Sequence, residues 1–369
     1  MPSRYKIMIN ALTVRPGGGL TVIYAMAKQL SLKGYNVLVV VTADDTAEML
    51  EKKLAENETV KIKKIGGKAL VDRVFLSRLK MLFVAIREDY KTIISLNALP
   101  FPFFYNIVYH VNLLRFQKKP KGSSSWSMGL NFLRDFETRL ALRFADVNLF
   151  ESNFLLSAAR NTGSINNPKV IHLGLEEKKV SYVDRPLSSQ ILMVTSPQPH
   201  KNNPVAIRVL KQLKNAHPGV NWRLVIAGGH SDADWRAVQS MDAYQQLKEN
   251  IEWVGYLGKQ ELVGYYRESL CLLSASTVES FCMVALEAMQ FGCPSIVMDA
   301  AAMPESVGDA GIIVPPGDEE KISQKIFQLY DDQNYRNERS QSSIEKAKTM
   351  TWRSFGEKLT DVVRSHCDY

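Results

Sequence analysis

The stretch that decides the fold is Leu270 to Pro294: the apolar run LCLLSA (270–275), then TVESFCMVALEAMQFGCP (277–294). The run reads as a buried strand, and Met283, Leu286 and Met289 fall at helical spacing after it. The chain turns at Glu279-Ser280 into that helix. Gly292 and Pro294 end it, and Ser295 to Met298 starts the next strand. A strand, a turn bearing a carboxylate and a helix beginning at the turn form a ligand site at the carboxyl edge of a parallel sheet. The helix start, Ser280 to Met283, offers N–H groups and a partial positive charge that suit a phosphate. A rise of about 1.5 Å per residue carries Glu287 roughly 8–10 Å from that start, far enough for the two glutamates to hold opposite ends of an extended ligand. The plainer reading is a surface Glu at a turn and an ordinary helical Glu.

Upstream the same strand–loop–helix unit repeats. Gln190 to Thr195 is a strand, followed by the loop SPQPHKNNP (196–204) and a helix to Ala216. Trp222 to Gly229 is a strand and tight turn, Ile251 to Leu257 another strand, and Lys259 to Glu268 a helix. Downstream, Ala310 to Pro316 and a helix from Glu319 close this half, and Thr351 to Ser365 is amphipathic.

The first half opens with the strand YKIMIN (5–10), a loop ending in Gly17-Gly18-Gly19, a helix from Leu20 to Lys33 and a strand from Asn36 to Thr42. Glycines between a first strand and a first helix bring backbone N–H groups close to a phosphate or substrate, though three glycines also make a plain flexible turn. The spacing is not G-x-G-x-x-G, and no acidic residue closes the second strand, which disfavours a nicotinamide cofactor. Val60 to Ile65 reads as an edge strand and Asp72 to Arg87 as a helix. The strand from Asn106 ends near His110, whose place at a carboxyl end faces a cleft, although a lone histidine also serves as a hydrogen-bonded core residue. Leu113 to Ser127 reads as a mobile basic loop with Arg115, Lys118, Lys119 and Lys121 beside Phe116 and Trp126, a set suited to a membrane interface. Leu130 to Ala145 reads as the next helix.

This order predicts an α/β chain of two doubly wound parallel-sheet domains facing a central cleft. The expected divisions are an N-terminal domain at 1–176, a polar linker around Pro186, a second domain at 190–350, and a helix at 351–369 crossing back to the first. With 369 residues the chain can bury two cores. Four cysteines show no CxxC pair and read as reduced thiols, the N-terminus shows no signal segment, and no window is apolar enough to span a membrane, so a cytoplasmic protein is expected. The net charge of +8 is uneven: residues 1–175 hold 25 Lys and Arg against 13 Asp and Glu, whereas the rest holds 21 against 25. A basic first half suits an anionic membrane surface or lipid-diphosphate acceptor, or a solvated basic face, and no nucleic-acid-reading module is present.

The two glutamates with seven residues between them in ESFCMVALE, the lysine in SPQPHKN, the segment VIHLGLE (170–176) and the close PES...GIIVPPGD resemble the retaining GT-B glycosyltransferases, family 4 in particular (glycosyl transferases group 1). The resemblance implies transfer of a hexose from a GDP- or UDP-linked sugar to a glycan or lipid-linked acceptor. The nucleoside diphosphate sugar is the co-substrate, with no other cofactor and no metal, since no DxD-type motif stands ready and Asp44-Asp45 reads as exposed. In that family the residue matching Glu279 holds donor-sugar hydroxyls and the one matching Glu287 holds ribose hydroxyls. Lys201 matches the cation that neutralises the leaving diphosphate, His110 the histidine on the hexose, and Gly18 and Gly19 the pair near the diphosphate. Segments 255–257 and 280–283 complete the donor-binding set. Ser196 stands where the family shows an arginine. Envelope polysaccharide or glycolipid synthesis at the inner face of a membrane is the expected setting. The alternatives are a non-catalytic GT-B module docking on membrane or partner, and a sugar-nucleotide 2-epimerase-like enzyme.

Overall fold

A computed structural model describes residues 5–15, 17–66, 76–116, 125–178, 180 and 187–367. The sequence expectations for Asp72 as a helix start, for Lys118, Lys119 and Lys121, and for the linker around Pro186 lie outside these residues. The chain forms two compact units, one running to Gly174 and resumed from Trp352, the other spanning Leu175–Thr351.

In the first unit the strands are β1 (Lys6–Asn10), β2 (Asn36–Val41), β3 (Val60–Lys64), β4 (Thr92–Leu96), β5 (Tyr105–His110), β6 (Val147–Phe150) and β7 (Pro168–Val170). They form one parallel sheet in the order β3-β2-β1-β4-β5-β6-β7. The reversal of order beside β1 is the switch point of a doubly wound domain, where ligands sit outside the carboxyl ends of the strands. The helices are α1 (Gly18–Leu32), α2 (Asp44–Leu54), α3 (Ser77–Arg87), α4 (Ser125–Phe144) and α5 (Asn153–Arg160). Val, Ile and Leu fill both faces of the central strands, as a sheet covered on both sides requires. On one face, Met81, Val84 and Ala85 of α3 pack with Met8, Leu38, Val40 and Ile93.

The second unit repeats the plan with β8 (Gln190–Thr195), α6 (Asn203–Ala216), β9 (Arg223–Gly228), α7 (Asp232–Gln239), α8 (Asp242–Leu247), β10 (Ile251–Gly255), α9 (Lys259–Glu268), β11 (Cys271–Ser274), α10 (Met283–Gln290), β12 (Ser295–Met298), α11 (Met303–Val307), β13 (Ile312–Val314), α12 (Glu319–Asp331) and α13 (Gln333–Thr349). Its parallel sheet runs β10-β9-β8-β11-β12-β13, again reversing beside its first strand. The chain then returns to the first unit as α14 (Trp352–Cys367). There Phe355 meets the ring of Tyr109 edge-on at 5.9 Å. Gly356 crosses α1 so closely that a Cβ on it would lie 2.6 Å from that of Gln29.

Two local expectations are corrected. The helix after Glu279 starts at Met283 rather than at the Glu279-Ser280 turn, because Ser306 Oγ accepts the Cys282 N–H at 2.9 Å and holds Phe281 and Cys282 out of the helix. And α4 begins at Ser125, so Ser125 to Ser127 belong to a helix rather than a loop. Among the described residues no helix is long and apolar enough to cross a membrane.

Candidate functional site

In the second unit the carboxyl edges of β8 and β11 carry the predicted residues. Past β8, the loop from Ser196 passes through a short 3-10 turn at Pro199–Lys201. It then reverses at Asn202 (φ 55°) and enters α6 with Pro204 in its first turn, a position that needs no amide donor. Thr195 Oγ1 ties this loop down by donating to Asn203 Oδ1 at 2.6 Å. Past β11, Thr277 N–H donates to the carbonyl of His200 at 2.8 Å, joining the two loops.

Across that junction Lys201 Nζ stands 2.6 Å from Glu279 Oε1, with 17% and 16% of the two side chains exposed. Both candidate residues are therefore brought together as a sheltered ion pair. Glu279 is held from behind as well, its carbonyl accepting the amide of Ala302 at 3.1 Å. Neighbouring His200 has its pKa lowered, mainly by burial and further by Lys201, against the opposing pull of Glu279. The Cys282 thiol is wholly buried and pushed up to about 11 by desolvation and then by the Glu279 charge. Its amide and that of Met283 are already committed, to Ser306 and to the Phe281 carbonyl, so the helix start offers fewer donors than the sequence suggests.

Glu287 lies within α10 and accepts a bond from Tyr266 Oη at 3.4 Å. Burial raises its carboxyl pKa, while Lys259, the Tyr266 bond and Lys178 pull the other way. The fully buried Tyr266 phenol is raised in turn, first by desolvation and next by Glu287. A carboxylate in such surroundings gains most from ligand hydroxyls that donate to it.

The neighbouring edge is shaped by glycine. Gly228 adopts φ 118°, and a Cβ there would fall 2.0 Å from the Thr195 carbonyl oxygen, so no other residue fits. Its own carbonyl accepts the Trp253 indole N–H at 2.8 Å. Gly255 sits at φ 73° where β10 shifts register against β9, and the next residue, Tyr256, lays its ring over Gly229 while staying largely exposed. Leu257 is half-buried and Ser196 likewise.

In the first unit, Gly17 caps α1 at φ 138°, a backbone only glycine takes readily. Gly18 and Gly19 are different: a Cβ on Gly18 would meet nothing within 4 Å, and one on Gly19 only Val14 at 3.6 Å. Internal packing of the described residues does not demand either glycine.

His110, expected to face an open cleft, is instead 1% exposed. Its ring stacks on Phe150 at 4.8 Å and is met edge-on by Phe116 at 5.8 Å, so these two rings close it off. The hydrogen bonding fixes its tautomer. Asn148 donates through Nδ2 to the carbonyls of Leu142 (3.0 Å) and Asn166 (2.8 Å), which orients Oδ1 toward His110 Nε2 at 2.9 Å. Nε2 therefore carries the proton, and Nδ1 is a buried acceptor with no partner. Desolvation lowers the imidazole pKa to about 4, the Asn148 bond opposing it.

Sequence reasoning located these residues but missed the Lys201–Glu279 pairing across 78 positions, as well as Asn148 and Ser306. Asn148 could have been flagged as an amide inside the strand VNLF; nothing in the sequence marks Ser306. Among the described residues no group of His, Cys, Asp and Glu comes together as a metal set.

Residues 176–349 match the family described as Glycosyl transferases group 1. The O-antigen chain mannosyltransferase B of Escherichia coli is 28% identical over 168 residues, 44% of this chain and 42% of that protein, so the match spans under half of the relative's length. Among solved structures, the sucrose-phosphate synthase of Thermosynechococcus elongatus superposes with a TM-score of 0.76 at 15% identity, covering 98% of this chain and 99% of that one. HepE of Anabaena, in complex with UDP, gives 0.72 at 16% identity, covering 98% and 100%. The fold is GT-B: two Rossmann-like domains in one chain.

Proposed function

We propose that this chain is a retaining, metal-independent glycosyltransferase of the family 4 type. It moves a hexose from a GDP- or UDP-linked sugar to a glycan or lipid-linked acceptor of envelope polysaccharide or glycolipid synthesis, at the inner face of a membrane. The observation that carries the reading is the sheltered Lys201–Glu279 pair at the carboxyl edges of β8 and β11. Two partly desolvated charges there cost more than a packed apolar pair would, and their use is to meet a ligand of opposite charges. The family match of residues 176–349 and the UDP held by HepE support a nucleotide-sugar donor.

In this reading Lys201 leaves Glu279 for the diphosphate, and Glu279 accepts hydroxyls of the donor sugar. Glu287 accepts the ribose hydroxyls beside Tyr266. The bond between the anomeric carbon and the diphosphate oxygen breaks, the acceptor oxygen bonds to that carbon on the same face, and the acceptor's proton passes to the departing phosphate oxygen. Lys201 and the α10 dipole offset the charge that develops on the phosphate. With Ser196 where the family has arginine, one cation fewer faces the leaving group, so Lys201 and the helix start carry that charge or another cation such as His200 shares it.

The test is the melting temperature of the protein against GDP, UDP, ADP and dTDP, each alone and as its sugar conjugate. A ligand at 100 times its Kd adds about 2.7 kcal/mol to the folded state. One base is expected to raise the melting temperature, Glu287→Ala to cancel the rise, and Glu279→Ala to abolish transfer with the fold retained. Turnover that survives Glu279→Ala overturns the donor-site assignment, and no response to any nucleotide favours a silent module.

A further inference from the structure

The helix α3 is apolar on two sides. Ser77, Met81, Val84 and Ala85 turn inward, where Met81, Val84 and Ala85 join the core of the first unit, as a doubly wound domain needs. On the opposite side Leu79 (62% exposed), Phe83 (65%) and Ile86 (66%) form a line that Leu76 (49%), in the helical cap, extends. Spacings of three and four residues place these four side chains, with Lys80 and Arg87, within about 120° of the helix circumference and along about 15 Å of its axis. The described residues hold fourteen exposed large hydrophobic side chains, and four of them share this one face, so it is a patch and not the usual scatter.

Charge narrows what can cover it. The helix itself carries exposed Lys80 and Arg87 along one flank of this face, and its sequence SRLKMLFVAIR holds no acidic residue. The acids that follow the helix are paired elsewhere, Glu88 with Lys63 at 2.9 Å and Asp89 with Lys91 at 2.6 Å. Residues 1–175 as a whole carry 25 cations against 13 anions. A symmetric contact between two copies would set Lys80 and Arg87 of one against the same cations of the other, which costs energy in a poorly hydrated interface. Beside the first turn, Arg78 donates to the Leu99 carbonyl at 2.9 Å and lies over Phe101, holding a loop from which Phe103 projects 99% exposed at φ 69°.

We propose that α3 is a lipid-docking helix, lying flat on an anionic bilayer with Leu76, Leu79, Phe83 and Ile86 in the headgroup boundary and Arg87 against lipid phosphates. This gives the membrane part of the proposed function a definite surface and rests on that part alone; sugar transfer does not enter it.

The experiment is flotation of the full chain with vesicles of phosphatidylglycerol and phosphatidylcholine in equal parts, and of phosphatidylcholine alone. The wild type is expected to float with the anionic vesicles. Leu79→Glu with Phe83→Glu is expected to lower the membrane-binding constant by about tenfold or more, and Arg87→Gln by roughly fivefold, an effect that fades in high salt. Because these side chains are already solvated in the free protein, the melting temperature and its response to nucleotide are expected to stay unchanged, which separates loss of docking from loss of fold or of donor binding. Equal flotation of wild type and the double variant, or no flotation of the wild type with anionic vesicles, overturns the proposal. So does a wild-type dimer by light scattering that the double variant converts to monomer, which assigns the face to a second copy instead.

Discussion

Acid is expected to loosen the first unit through one side chain, His110. The imidazole titrates near 4 in the folded protein and near 6.5 when unfolded. Between those values the unfolded chain binds a proton that the folded chain refuses, so stability is complete above pH 6.5 and falls as the pH drops, levelling off below 4. The difference of 2.5 pH units corresponds to about 3 kcal/mol at the low end of that window. The cause is geometric: Phe150 and Phe116 exclude water from the ring, and Asn148 accepts from Nε2, so protonation must place a charge on Nδ1 with no acceptor facing it. The assay is hydrogen exchange by mass spectrometry between pH 7 and 4.5, corrected for intrinsic rates, reading peptides from β5 and β6 apart from those of the second unit. His110→Gln, which keeps a donor for Asn148, removes the titrating group while carboxylates titrate alike in both proteins. The wild type should lose opening free energy faster than the variant below pH 6.5, and only in the first unit. Parallel curves for the two proteins would refute the argument, for they would mean that His110 already meets water or an acceptor.

Three further outcomes follow from the second unit. Gly228→Ala drives a Cβ into the Thr195 carbonyl at φ 118° and should cost about 3 kcal/mol or more, seen as a large fall in melting temperature. Ala301, by contrast, sits at φ 52° in the loop that fastens the Glu279 carbonyl, so Ala301→Gly should stabilise by roughly 0.5–1 kcal/mol in the same assay. Cys282, buried and with its thiol pushed up to about 11, should resist iodoacetamide at pH 8 in the native protein and react once denatured; fast native labelling would show that the Glu279 loop opens.

What the sequence revealed and what it hid divide along physical lines. The central strands of both sheets were legible because continuous apolar runs such as LCLLSA and NVLVVV have few other uses in a protein of this composition, whereas the short edge strands β7 and β13 were not read as strands. Helix α13 escaped because its buried side is made of Arg336, Ser340, Ser343, Ile344 and Ala347 rather than large apolar residues. Ser340 donates to the Gly292 carbonyl, and Arg336 donates to those of Leu329 and Tyr330, so polar bonds do the packing that periodicity searches for. The start of α4 was masked by glycine and serine at 122–125, which read as a loop whatever follows them. Glu279 and Lys201 could each be picked from their loops, yet their meeting depends on the Thr277–His200 bond between elements far apart in sequence. The burial of His110 likewise depends on Phe116 and Phe150, residues that only the folded sheet brings to its two faces.

The path of the chain has a consequence for its birth on the ribosome. The second unit is one uninterrupted segment, whereas the first is left unfinished at Gly174 and completed only by α14. Until that helix emerges, the Gln29 side of α1 and the Tyr109 ring lack their cover from Gly356 and Phe355. Residues 175–351 must be translated in the meantime, which at 5–20 residues per second takes roughly 10–35 s. For that interval the nascent first unit carries an apolar seam that its own later residues will seal. The second unit, read out later, is the one free to reach its native state first.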